Sequence, residues 1–184
     1  MYFGIYGEDE VDNIEFSGNK PILIRINGSC SLKNEKMYNA ILNLNIYDIV
    51  SLNDLTEDFY HKMLNTFFML NEFLINVDFD EVIVHCAMGI SRSPAIMICI
   101  ARILSCYELE KEVKDNFKFY NKFIVDLFDS YPFIKKNINI RKIFFKGHFL
   151  SNRIDDEDVI FVNKNNDIII NFENEIKLKK IRIK

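Results

Sequence analysis

Residues 85–94 read HCAMGISRSP. Cys86 follows His85, Gly89 comes three positions after the cysteine, Arg92 six after it, and Ser91 and Ser93 flank the arginine. A thiolate is a strong nucleophile, and a guanidinium presents a planar fork that matches two oxygens of a phosphate. Glycine lets the intervening backbone take positive φ or approach a ligand closely. A loop wrapped over a helix N-terminus adds inward-pointing N–H groups to those the helix leaves unpaired, which makes a cradle for an anion. The field that binds a dianion also stabilises a thiolate. A cysteine at the bottom of such a cradle is placed for in-line attack on bound phosphorus. Two further roles complete covalent catalysis. Ser93 is placed to donate to the sulfur when it leaves the intermediate. A carboxyl on a neighbouring loop must protonate the leaving oxygen.

This chemistry needs a strand ending at the cysteine and a helix starting near the arginine. The run EVIVHC (81–86) has the β-branched core of a buried strand, and residues 93–106 carry a helical pattern with Pro94 in the first turn. Upstream, 2–7, 21–26 and 40–46 read as strands, with Asn27-Gly28 as a turn after the second. Residues 8–20 read as a loop, 29–36 as loop or a short helix, and 47–54 as a loop. Thr56 is a candidate cap for a long helix over 56–77, with Leu64, Phe67, Phe68, Leu70 and Leu74 among its core-facing candidates. Residues 109–130 read as one further helix and 137–150 as another. After residue 150 short apolar runs alternate with Asn-rich turns. The order implies an α/β fold: a largely parallel central sheet flanked by helices, the phosphate-binding loop at a strand–helix junction, and a short β-rich C-terminal appendage. The motif falls at the carboxyl end of a strand, where open α/β sheets place their ligands. The expected division is a catalytic domain over 1–150 and an extension over 151–184.

The 184 residues suit one domain with an appendage, and a net charge of -4 disfavours nucleic acid as the main partner. The cysteines, Cys30, Cys86, Cys99 and Cys106, form no C-x-x-C pair or zinc-finger spacing. Residues 1–7 do not read as an export signal, and no apolar run reaches the roughly 20 residues that span a bilayer. Reduced thiols, a cytoplasmic location and no membrane contact are therefore expected.

The stretch VHCAMGISRSPAIMICIARIL resembles the signature of the cysteine-dependent protein tyrosine phosphatases. It is most similar to the dual-specificity subgroup, whose pattern is His-Cys, five residues, then Arg-Ser, and particularly to small bacterial and viral members. A weaker resemblance spans 21–146. It implies a phosphoprotein phosphatase acting on phosphotyrosine, and on phosphoserine or phosphothreonine, through a cysteinyl-phosphate intermediate, with no metal or other cofactor. It implies Cys86 as nucleophile and Arg92 as phosphate ligand. The backbone N–H groups of Ala87, Met88, Gly89, Ile90, Ser91 and Arg92 would bind the remaining oxygens. Ser93 would assist hydrolysis of the intermediate, and His85 would orient the loop and hold the thiolate. The family's acid follows the strand before the long helix. Asp48 occupies that place and is favoured; Asp54 fits the raw spacing to Cys86 better. The family's Pro-Asn pair after the third helix is stretched here to Pro132 and Asn137.

Two alternatives remain from other classes. One is a phosphate-recognition module of pseudophosphatase type, motivated by the rivalry between the two aspartates. The other is an RNA 5'-phosphatase, disfavoured by the acidic charge and by the pattern after Gly89. The uncharged Ala87, Met88 and Ile90 disfavour an inositol-lipid substrate, since lipid phosphatases of this superfamily place lysines there. Cys99 and Cys106 read as packing groups, His61 and His148 as structural, and a disulfide between Cys30 and Cys86 is disfavoured. The basic run at 177–184 reads as a lysine-protected edge strand.

Overall fold

The computed structural model describes residues 1–28, 32–49, 56–132, 135–136, 144–147 and 161–163. Its strands are β1 (Tyr2–Tyr6), β2 (Pro21–Ile26), β3 (Ala40–Leu44), β4 (Glu81–His85), β5 (Phe144–Gly147) and β6 (Phe161–Asn163). Its α-helices are α1 (Glu8–Val11), α2 (Glu57–Asn76), α3 (Arg92–Ile103), α4 (Tyr107–Asn116) and α5 (Lys122–Asp129), with a 3₁₀ turn at Glu35–Met37. They form the expected α/β architecture. The sheet order is β5-β1-β4-β2-β3-β6. The first five strands are parallel, and β6 runs antiparallel to β3.

Side-chain alternation sorts the strand residues onto two faces. Phe3, Ile5, Ile22, Ile24, Ile26, Ala40, Leu42, Leu44, Val82 and Val84 face the main core. Leu23, Ile41 and Ile83 face the other side, where Val11, Leu32 and Tyr38 cover them. Both faces are covered, so all of β2 is buried, including Arg25, whose Nη2 pairs with Glu35 Oε1 at 2.9 Å.

Thr56 caps α2 as expected, its Oγ1 accepting from Phe59 N at 3.2 Å. The buried stripe of α2 is Phe59, Met63, Phe67, Leu70, Phe73 and Leu74. Leu64 is only half-buried and Phe68 is exposed, because the helix turns those positions out of the stripe. α3 lies against the sheet with every residue but Arg102 buried. Arg102 then fastens its neighbours: Nη2 donates to Glu110 of α4 at 3.0 Å, and Nη1 pairs with Asp129 of α5.

Several sequence expectations need correction. Residues 8–20 are not all loop, since α1 forms one short helix there. Residues 109–130 are two helices rather than one. The chain turns at Phe117–Tyr120, and Asn121 restarts the helix by accepting from Ile124 N at 3.1 Å. Within 137–150 the described residues, Phe144–Gly147, are strand and not helix; they pair with the open edge of β1, Tyr2 opposite Phe144. From the extension at 151–184, β6 joins the sheet edge, with Leu42 opposite Phe161; its other residues lie outside the described ones.

Candidate active site

β4 delivers Cys86 to the carboxyl end of the sheet, with β1 on one side and β2 on the other. Residues 87–91 bend away, and α3 begins at Arg92. Cys86 is 2% exposed. The N–H of Gly89 donates to its Sγ at 3.3 Å. Gly89 has φ 70°, in the left-handed region, and a Cβ there would lie 2.8 Å from Gly7 N and from Tyr6 C. The loop is therefore wedged against the β1–α1 junction, where Glu8 N also donates to Ala87 O at 3.2 Å. Glycine is required on both counts.

Arg92 is 6% exposed. Its Nη1 donates to Ile46 O at 3.2 Å, and its Nε lies 4.0 Å from Asp48 Oδ2. The same Ile46 is gripped by Asn27, which donates through Nδ2 to Ile46 O at 3.0 Å and accepts from Ile46 N through Oδ1 at 2.6 Å. Asp48 follows two residues later. Its Oδ1 accepts from Ser91 Oγ at 2.9 Å and from Asn121 Nδ2 at 2.7 Å, while its side chain is 42% exposed. A carboxylate thus stands at the mouth of the loop whose foot is the cysteine.

The expected site residues fall out as follows. Cys86, Gly89, Ser91, Arg92 and Asp48 come together, with Ala87, Met88 and Ile90 forming the rest of the loop. Ser93, in the first turn of α3, is fully buried, and its Oγ has no partner among the described residues. His85 differs from expectation. Strand alternation puts it on the Ile83 face, away from Cys86 and opposite Tyr6 and Arg25 in register. Neither ring nitrogen has a hydrogen-bond partner among the described residues, so no such bond holds the loop or the thiolate. Burial, with the nearby Arg25 charge, pushes its pKa down to about 3.

Asp54, Cys30, Asn137 and His148 lie outside the described residues. His61 is on the exposed side of α2 beside Glu57. Cys99 and Cys106 are buried, and burial raises both thiol pKa values, as fits packing groups. Two residues escaped the sequence reading. Asn27 looked like a turn former only. Asn121 was hidden inside an apparently continuous helix, although an Asn before an apolar run is a cap signal.

Compared with protein-family models, with curated proteins and with solved structures, the chain matches none. Among the described residues no helix is long and apolar enough to cross a membrane.

Proposed function

We propose that this chain is a phosphoprotein phosphatase that hydrolyses phosphotyrosine, and phosphoserine or phosphothreonine, through a cysteinyl-phosphate intermediate. One observation carries the reading: Cys86 Sγ receives the Gly89 N–H at the foot of a strand–loop–helix cradle, with Arg92 and Asp48 at its mouth.

In the first step the Cys86 thiolate attacks phosphorus, the S–P bond forms, and the P–O bond to the leaving group breaks. Asp48 gives its proton to the departing oxygen. The guanidinium of Arg92 and the loop amides hold the equatorial oxygens, where charge gathers in the transition state. In the second step water attacks phosphorus and gives a proton to Asp48. The S–P bond breaks, and Ser93 Oγ donates to the leaving sulfur. Ser93 is suited to this by burial and by having no competing partner among the described residues.

A carboxyl at the mouth serves turnover and adds nothing to anion binding, which favours an enzyme over a phosphate-recognition module. The net charge of -4 favours a protein substrate over RNA, and a cytoplasmic setting suits the reduced thiol the reaction needs. The test is hydrolysis of an aryl phosphate by the wild type and by Cys86→Ser, in EDTA. Turnover is expected for the wild type alone, with vanadate competing. Equal turnover by Cys86→Ser would overturn the proposal.

A further inference from the structure

The α4–α5 turn was not expected to reach the cradle, yet Asn121 touches three parts of it. Its backbone N–H donates to Ser91 O at 3.1 Å. Its Nδ2 donates to Asp48 Oδ1 at 2.7 Å and to Ile49 O at 2.9 Å. Its Oδ1 accepts from Ile124 N at 3.1 Å, as the cap of α5. That last bond fixes the amide orientation, because only the oxygen can accept from an N–H. Asn121 is 4% exposed, so its donors meet little competition from water.

Oδ1 of Asp48 therefore accepts two hydrogen bonds, from Asn121 and from Ser91 Oγ at 2.9 Å. An oxygen occupied by two donors does not carry the acid proton as well. The other oxygen, Oδ2, is the one that faces Arg92 Nε, at 4.0 Å. We infer that Asn121 is a positioning residue for the acid: it fixes Oδ1 as the accepting oxygen and so makes Oδ2 the atom that carries the proton, aimed at the leaving group of a phosphate held by Arg92. This inference rests on the phosphatase reading above. It adds that the acid is set by a residue of the α4–α5 turn, whose flanking helices Arg102 ties to α3.

The test compares the wild type with Asn121→Ser and Asn121→Asp on phenyl phosphate, a poor leaving group, and on 2,4-dinitrophenyl phosphate, which leaves without protonation. Serine can still cap α5 but does not reach Asp48. Aspartate keeps the cap and the shape, but presents an acceptor where the donor was. Both variants should lose about tenfold or more in kcat on phenyl phosphate relative to dinitrophenyl phosphate, as a partial loss of general-acid help. KM should change little. Equal slowing of both substrates, or none, by a folded variant would show that Asn121 only caps α5, and would overturn this inference while leaving the phosphatase reading intact. Should Asn121→Ser fail to fold, Asn121→Asp decides. A wild type with no Cys86-dependent turnover of either substrate would overturn both.

Discussion

Asn27 and Ile46 are joined through both backbone groups of the isoleucine, at 3.0 Å to its carbonyl and 2.6 Å to its N–H. The side chain of Asn27 thus acts as one rung of a strand that has already ended, and it carries the chain on toward Asp48. The same carbonyl accepts from Arg92 Nη1, so the acid loop and the phosphate ligand share one anchor.

Asn27→Ala should consequently destabilise the protein by about 1–3 kcal/mol, the cost of leaving Ile46 N–H and part of its carbonyl unsatisfied. Asn27 also sits at φ 51°, a conformation asparagine tolerates better than alanine. Asn27→Gly separates the effects: it relieves the backbone and still loses both bonds. Urea denaturation of the two variants, read beside their rates, checks this. If Asn27→Gly matches the wild type in stability and rate, the grip on Ile46 does not matter.

Gly89→Ala meets two obstacles at once, a positive φ and backbone atoms of Tyr6 and Gly7 at 2.8 Å from the new Cβ. Neither neighbour is a flexible side-chain end, so the loop itself must move. Strain at a non-glycine residue of this kind is worth about 1–3 kcal/mol before the clash is counted. The variant should bind vanadate at least tenfold more weakly, since the Gly89 N–H can no longer stay on Cys86 Sγ. Vanadate affinity equal to the wild type would show that the loop tolerates the shift.

The buried His85 makes the fold sensitive to acid. Its folded pKa is depressed to about 3, against 6.5 in an exposed chain, by burial and by Arg25. A depressed histidine leaves the folded state neutral while the unfolded chain takes up a proton. Its effect is absent above about pH 6.5, and stability is lost as pH falls toward about 3. The slope is about 1.4 kcal/mol per pH unit. Denaturant titrations at several values between pH 7 and 4 should show this slope, reduced in His85→Gln. Equal slopes in the two proteins would place the acid sensitivity in other groups.

Much of this arrangement was legible because its signals are local. The apolar run at 21–26 marks a strand and the β-branched run at 81–86 a buried one, Thr56 announces its helix, and the Cys86–Arg92 spacing implies a cradle at a strand–helix junction. What was hidden depends on neighbours far along the chain. Phe144–Gly147 becomes strand because β1 offers an open edge. His85 is next to Cys86 in sequence, but the pleat sends their side chains to opposite faces. Asn121 gained meaning only when α3, α4 and α5 were locked together by Arg102 and brought it against Ser91 and Asp48. Asp48 directly follows a strand in the sequence and lies 4.0 Å from Arg92 Nε through Oδ2, whereas Asp54 is outside the described residues.

That placement yields the sharpest kinetic expectation. A poor leaving group needs a proton in the transition state, and a very good one does not. General-acid help is typically worth about 10²–10⁴-fold. Asp48→Asn should slow phenyl phosphate hydrolysis by that order and dinitrophenyl phosphate hydrolysis hardly at all. The substituted amide still fills the space between Ser91 and Asn121, so the loop keeps its shape and only the proton is lost. Substitution of Cys86 or Arg92 should show no such selectivity, because attack on phosphorus and binding of its oxygens are needed for every leaving group. Asp54→Asn is the internal control. If it shows the leaving-group pattern and Asp48→Asn does not, the carboxylate beside Arg92 is a loop tether, and the acid comes from further along the chain.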